Sequence, residues 1–439
     1  MLPEPTLPPS LAALLAALRP CFGTRTTFTT FCALVAGMLA QTGRHTVCGM
    51  LVGSGLSGTW SHHRAHRFFS RAVWSAQRLG VLLAGLVVKL LLPADAAVTV
   101  VIDDTLFKRT GRKVWAAGWF HDGSVTGPKQ VGFGNNWVLA GIVVRLPMLD
   151  RPVCLPVVAR LVRKGTVSAS RLWLARQMVT ALAEGLPGRR IHVVADAAYA
   201  GAELKKLPGQ VTWTTRLRKN AALYQLAPPR TGRRGRPRKK GARLPPLSAL
   251  ARTATFTPAT VVRYGQTSTV YLASVRCLWY SVFGPQQVSV VLAREEAAGT
   301  GYDLALVSTD LQASAGQVVE RYATRWSVEV AICEAKQLVG VGQARNRLAA
   351  AVERTVPFGL ACQTLAVCWY ATTGHHPDDV TERHTRAPWY RTKTHPSTAD
   401  MLAKLRRVLI AARFRCARPE QPTPAEIQAI RLAWENPAA

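Results

Sequence analysis

The chain has 439 residues, of which 56 are Lys or Arg and 24 are Asp or Glu, so its formal net charge is +32. With 48% hydrophobic residues, it is neither a single small module nor a disordered chain. A charge of this size predicts a polyanionic partner. The usual polyanions are anionic membranes and nucleic acids. The longest apolar run, residues 81–92, contains Lys89 and is shorter than the roughly 18 residues of a membrane span. We therefore expect the partner to be nucleic acid.

The N-terminus and the cysteines predict a cytoplasmic protein. The first 20 residues are Pro-rich and lack a basic leader, so we expect no signal peptide. The nine cysteines are scattered without CxxC pairs, which is typical of reduced thiols. Neither they nor the ten histidines show the spacing of zinc ligands.

Residues 1–95 are predicted to form a helical DNA-binding domain. No Asp or Glu occurs between residues 5 and 94, and apolar residues recur at helical spacing over 28–40, 47–52 and a long stretch from Thr59 to Leu92. The glycines of 53–58 mark a turn, as in a helix-turn-helix motif with Arg64 and Arg67 on its second helix. A plain helical bundle is the alternative.

An α/β domain follows, in which two predicted strands end in carboxylates. Strands are predicted at 98–103, 113–120, 136–146 and 191–196, with a helix at 168–185, so we expect a mixed sheet. The first strand runs into Asp103 and Asp104, and the last into Asp196. Because adjacent strand residues point to opposite faces, Asp103 and Asp104 cannot both face one site.

A third carboxylate is predicted on a helix over residues 314–340. Tyr322, Arg325, Glu329 and Lys336 fall within a sector of about 60° on this helix. Such a stripe favours a site, although an intrahelical salt bridge network is the alternative.

Between the second and third acids, the sequence predicts a basic, β-rich insertion at 217–287. Residues 204–294 carry a net charge of +17 and include strand-like runs at 260–265, 268–283 and 287–294. The loop 227–246 has eight basic residues, no acid and five prolines, so we expect it to be extended and disordered. Its candidate DNA contacts are Arg234, Arg236, Arg238, Lys239 and Lys240, either as an AT-hook-like minor-groove element or as a nonspecific phosphate clamp.

The C-terminal part is predicted to be helical. A core helix is expected at 354–372, another helix after Ser397, and a capping box at residues 423–426. The terminal helices would either pair protomers or pack on the core.

The spacing Tyr322-(2)-Arg325-(3)-Glu329-(6)-Lys336 matches the Y-(2)-R-(3)-E-(6)-K signature of a large group of bacterial insertion-sequence transposases with DDE active sites. The segments IDDTLFKRTGRKVWAAGWF, VVADAAYAG and RWSVEVAICEAKQ also resemble this group. The resemblance extends from about Trp60 to Ile410 and includes two Asp-ended strands in the expected order.

The resemblance implies a ribonuclease-H-like core interrupted by the β-rich insertion, with an N-terminal helical DNA-binding domain and a C-terminal helical region. The expected boundaries are 1–95, 96–216, 217–287, 288–372 and 373–439. Asp104, Asp196 and Glu329 would hold two Mg²⁺ ions, or Mn²⁺ as a substitute, through hard oxygen ligands. Asp104 is preferred over Asp103 because the family's first acid directly precedes a Thr.

The same resemblance implies a cut-and-paste transposase that binds terminal inverted repeats, cleaves them and joins the 3′-OH ends to target DNA. Tyr322, Arg325 and Lys336 would contact phosphates, and Trp213 or Trp279 would stack on a base of a DNA hairpin intermediate. A homodimer in the bacterial cytoplasm, associated with the nucleoid, is expected. The alternatives are a ribonuclease-H-like nuclease or resolvase without strand transfer, and a domesticated DNA-binding regulator.

Overall fold

The computed structural model describes residues 4–123, 125–126, 128, 130–229 and 237–415, together with residues 424 and 427. The predicted DNA contacts Arg234 and Arg236 lie outside the described residues. So does the predicted capping box at 423–426, apart from Pro424.

The N-terminal region is helical, as predicted. Its helices are α1 Pro9–Ala16, α2 Arg25–Ala40, α3 Val47–Gly53, α4 His62–Ser70 and α5 Ala76–Leu91. The single long helix predicted from Thr59 to Leu92 is wrong, because the chain leaves the helix after α4 and starts a new one. The Ser75 side chain caps α5 by accepting a hydrogen bond from the Arg78 backbone N–H.

One sheet runs through the described part of the chain. Its strands are β1 Val98–Lys108, β2 Gly118–His121, β3 Val131–Val144, β4 Val153–Leu161, β5 Ile191–Ala195, β6 Val211–Arg216, β7 Thr257–Arg263, β8 Gln266–Leu278, β9 Gln287–Arg294 and β10 Leu304–Ser308. The order is β2-β3-β1-β5-β6-β10-β9-β8-β7, and β4 also pairs with β3. β1, β5 and β6 are parallel, whereas β3 is antiparallel to β1 and β10 is antiparallel to β6.

Several strands differ from the prediction. The run 113–120 forms a strand only at its end, as β2, and β4 and β10 were not predicted. The end of the run 268–283 is not strand, because residues 280–283 form the short helix α8. The strands of the predicted insertion, β7 and β8, extend the central sheet, since β8 pairs with β9 and β9 pairs with β10.

The remaining helices lie between and after the strands. They are α6 Arg171–Gly185, α7 Leu247–Thr253, α8 Tyr280–Phe283, α9 Ala315–Ala323, α10 Trp326–Gln337, α11 Ala349–Trp369, α12 Asp379–Arg386 and α13 Thr398–Arg415. The predicted single helix over 314–340 is two helices. The Thr324 hydroxyl donates to the Arg321 carbonyl and the Ser327 hydroxyl to the Thr324 carbonyl, so side chains compete with the backbone at the break.

The central strands separate two helical layers. Val101 of β1 and Val194 of β5 pack with Val328 and Ala331 of α10 in one buried cluster. On the other face, Val100 and Ile102 join the main core together with Leu174 and other residues of α6. Residues of β1 therefore alternate between the α10 face and the α6 face.

The predicted α/β class with a mixed sheet is confirmed. In the described part of the chain, no helix combines the length and the apolar character that crossing a membrane requires.

Candidate active site

Strand register places Asp103 and Asp196 on the same face of the sheet. Val101 lies opposite Val194 in the parallel pairing of β1 with β5, and both side chains pack under α10. Asp103 and Asp196 each follow by two residues, and the backbone of Asp196 is still extended. Both acids therefore project toward the α10 side. We call this side, with Asp103, Asp196 and Glu329 of α10, the acid face.

Arg325 connects two of the three acids. Its Nη1 lies 3.3 Å from Asp103 Oδ2, and its Nη2 lies 2.7 Å from Glu329 Oε1. The side chains of Arg325, Asp103 and Glu329 are largely screened from solvent, and Glu329 is the most exposed of them. The guanidinium is a cation held between two carboxylates from different elements.

The electrostatics of the acid face favour a further cation. Burial raises the pKa of Asp103 to about 6; the Asp104 backbone N–H and Arg325 oppose this, and the nearby Asp104 and Asp196 carboxylates add to it. Burial acts to lower the pKa of Arg325, but Glu329, Tyr322 and Asp103 together outweigh it and the pKa is raised. Burial is thus the main reason why the pKa of Asp103 is raised, and one guanidinium does not offset it.

The donor set suits a hard divalent ion, but the carboxylates are not assembled around one. Within the described residues, no group of three His, Cys, Asp or Glu side chains is arranged to hold a metal ion. Arg325 lies between Asp103 and Glu329, where a shared ion would be. Oxygen donors alone match Mg²⁺ and Mn²⁺ chemistry, and the fit requires this guanidinium to move.

Tyr322 and Lys336 also lie on the acid face. Burial raises the pKa of the Tyr322 hydroxyl, while Arg325 and Arg216 lower it. The Lys336 ammonium donates to the Thr105 hydroxyl at 2.7 Å and lies over the Phe107 ring. Burial lowers the pKa of Lys336. The four residues of the predicted stripe are thus on one side of the sheet, although Tyr322 belongs to α9 rather than α10.

Asp104 points to the α6 face and has fixed partners there. Arg171 Nε lies 2.9 Å from its Oδ2, Asn136 Nδ2 donates to the same oxygen at 3.0 Å, and the Tyr199 hydroxyl donates to Oδ1 at 3.1 Å. The structure therefore brings Asp103, not Asp104, to the side of Asp196 and Glu329. Sequence reasoning missed these three partners, because they come from separate elements and no local spacing marks them.

The two tryptophans predicted to stack on DNA are not available for it. Trp213 has no exposed surface and Trp279 is 5% exposed. Both side chains belong to the main core, so that prediction is wrong. The exposed tryptophans of the described chain are Trp115, Trp119, Trp326 and Trp389, which the sequence did not single out.

The predicted basic contacts differ in how free they are. Arg64 is half-buried, stacks on Trp60 at 3.5 Å and donates to the Thr30 hydroxyl, so it stabilises the helical domain. Arg67 is exposed. Arg238, Lys239 and Lys240 are exposed, and Lys240 lies over the Tyr224 ring.

Comparisons with known proteins add a family match. A family model described as DDE superfamily endonuclease matches residues 17–281, a span that includes Asp103, Asp104 and Asp196 but ends before Glu329. No curated protein matches the chain by sequence. Among solved structures, the chain is similar to the piggyBac transposase synaptic complex with hairpin DNA, determined by cryo-EM. The TM-score is 0.42 at 12% identity, over 98% of this chain and 82% of that one.

Proposed function

The chain belongs to the DDE superfamily endonuclease family, and we propose that it is a cut-and-paste DNA transposase. It would bind the terminal inverted repeats of a mobile element, cleave the DNA at each end and join the 3′-OH ends to target DNA. The observation that carries the proposal is the acid face, where Asp103, Asp196 and Glu329 come from two parallel strands and a helix and Arg325 already bridges Asp103 and Glu329.

Asp103, Asp196 and Glu329 are the proposed ligands of two divalent ions. Two such ions, when bound, would activate the attacking oxygen and stabilise the leaving oxygen of the phosphodiester. Asp103 replaces Asp104 in this set because the Asp104 oxygens already accept from Arg171, Asn136 and Tyr199 on the other face. In sequence, Asp104 precedes Thr105 and remains the competing candidate.

Arg325 has two roles in this proposal. Before DNA binds, it pairs with both Asp103 and Glu329 and holds the two carboxylates together. When ions enter, the guanidinium would leave the acids and grip the phosphate beside the cut, for which its forked geometry is suited. Lys336, in the last turn of α10, would contact the DNA backbone as a point charge.

The basic regions would hold the DNA around this centre. The segment 204–294 carries a net charge of +17, and its strands β7, β8 and β9 form one end of the strand order. Together with the exposed Arg67 and the cations Arg238, Lys239 and Lys240, this segment would neutralise phosphates of the transposon end. Pairing of two ends would require two subunits, so a homodimer is part of the proposal.

Purified protein tests the proposal directly. It would be incubated with Mg²⁺, a supercoiled target plasmid and end-labelled duplexes carrying the repeats that border its coding element. We expect 3′-OH cleavage at the repeat and joined products in the plasmid. Cleavage without joining would indicate the nuclease or resolvase instead, and binding without cleavage would indicate a DNA-binding regulator.

A further inference from the structure

The acid face continues beyond β1 to an open edge of the sheet. Lys108, the last residue of β1, lies opposite Gly134 of β3, so β3 extends past the end of β1. On its other side, β3 pairs with β2, with Trp119 opposite Phe133. Since paired residues share a face and the odd-numbered residues of β3 lie opposite Asp103 and Phe107, Trp119 and Phe133 are on the acid-face side.

This edge exposes aromatic side chains. Trp119 is 63% exposed and meets Phe133 edge-on, with ring centroids 5.6 Å apart, and Trp115 is 44% exposed. Trp115 is nevertheless fixed, because its backbone N–H donates to the Arg347 carbonyl and its carbonyl accepts from the Asn135 amide. Exposed indole rings on an anchored backbone are suited to stack on bases or wedge between base steps.

The edge is also rich in exposed cations, whereas Asp122, which directly follows β2, is buried and pairs with Lys108 at 3.2 Å. Exposed cations are Arg112 and Lys113 in the β1–β2 loop and Arg345 and Arg347 in the loop after α10. The segments 105–121 and 335–352, which supply all of them, contain no Asp or Glu. None of the four makes an ion pair with any residue that the structure describes. We call Arg112, Lys113, Trp115, Trp119, Arg345 and Arg347 the β2 surface.

The loop after α10 joins the β2 surface to the active site. Arg109 donates to the carbonyls of Gly342 and Ala344, which fixes this loop against the sheet. An open cleft of about 330 Å³ lies between this loop and the end of β1, and its lining includes Phe107, Lys108, Lys336 and Gly342. Lys336 therefore lies in this cleft, and the loop that forms one of its walls also carries Arg345 and Arg347 of the β2 surface.

From these contacts we propose that the β2 surface binds duplex DNA on the opposite side of the cut from the insertion. This inference rests on the proposed function, because it takes the acids as the point of cleavage. The insertion strands β7 and β8 lie at the opposite end of the sheet from strand β2, with β1 between them. The DNA would thus be donor flank before cleavage and target DNA during joining, and both present the same phosphates and bases.

The register also predicts how far away this contact lies. Trp119 is level with the position that follows Lys108 in β1, six residues beyond Asp103. At about 3.3 Å per residue this is roughly 20 Å, or about six base pairs of duplex.

The test compares Trp115→Ala/Trp119→Ala with wild type, with the exposed Trp389→Ala as the matched control. Binding is measured in Ca²⁺ to repeat duplexes carrying flanks of about 2 or about 12 base pairs, which stop short of or pass the β2 surface. Wild type and the control should gain affinity with the long flank. The double variant should lose about tenfold on the long flank and match wild type on the short one, as expected for lost base stacking.

A second arm separates the two sources of DNA. With pre-cleaved ends that carry no flank, joining to a plasmid should also fall about tenfold in the double variant, as expected if target DNA uses the same stacking surface. Unchanged joining would limit the surface to donor flank. Equal losses on short and long flanks, or no loss on either, would overturn the inference. Because binding is read without cleavage, a wild type that responds to flank length but never cuts would instead refute the proposed catalysis.

Discussion

Asp103 and Asp104 are adjacent in β1, yet their carboxylates lie in opposite chemical environments. The Asp104 carboxylate accepts hydrogen bonds from Arg171, Asn136 and Tyr199, which lie on the α6 face. Asp103 has the Asp104 backbone N–H and the guanidinium of Arg325, which it shares with Glu329, and it faces two other acids. One carboxylate is satisfied by the fold, and the other is left short of positive charge.

This difference separates a structural acid from a functional one. A carboxylate with three donors contributes to stability and has few lone pairs left for a ligand. A buried carboxylate crowded by like charges costs stability, which a protein retains where the group acts on a ligand. The contrast predicts that Asp103→Asn will cost more activity than Asp104→Asn, and that Asp104→Asn will cost more stability.

Activity should show the largest difference. Asp103→Asn should lower DNA cleavage by roughly 1,000-fold or more because a metal-ligand charge is lost, whereas Asp104→Asn should cost about tenfold, the size typical of a supporting residue. Single-turnover cleavage of labelled repeat DNA in Mg²⁺ measures both. Asp196→Asn and Glu329→Gln serve as references for complete loss. The reverse order would return the ligand role to Asp104.

Sequence predicted the acids and the mixed sheet, but not which Asp of the pair faces the others. Two Asp-ended strands are readable because buried parallel strands are continuous apolar runs. The face that each Asp occupies depends on the register of β1 against β5 and on α10, which are contacts between distant segments. For the same reason the burial of Trp213 could not be predicted, since the local sequence around a single Trp in a strand does not reveal whether its ring faces the core or the solvent.

Thermal stability should show the opposite order, with a smaller effect. Asp104→Asn leaves Arg171 without its counter-charge, so Tm should fall by about 1–3 °C, corresponding to about 1–3 kcal/mol for a chain of this length. Asp103→Asn removes a charge that burial disfavours at neutral pH, because the pKa of Asp103 is raised to about 6. Its Tm should therefore equal or exceed that of wild type. Differential scanning calorimetry at pH 7.5 tests both, and a lower Tm for Asp103→Asn would contradict the contrast.

The smallest predicted effect concerns His192, on the same face of β5 as Asp196 but at the other end of the strand. Its Nδ1 lies 2.5 Å from the Thr212 hydroxyl and 3.7 Å from Asp310, which Arg321 already neutralises at 2.9 Å. Burial, with Arg321 next, lowers the pKa of His192 to about 4, so the unfolded chain binds this proton first as the pH falls.

The stability contributed by neutral His192 should be complete above about pH 6.5 and be lost as the pH falls toward 4. His192→Gln removes up to one proton from the difference in proton binding between the unfolded and folded chains. The fall in Tm over this pH range should accordingly become shallower, and cleavage at pH 7.5 should not change. Parallel melting curves of wild type and variant, measured from pH 4 to 7.5, provide the comparison. Superimposable pH profiles would mean that His192 titrates normally. A loss of cleavage would mean that the functional part of this face extends along the whole of β5, rather than stopping at its carboxyl end with Asp196.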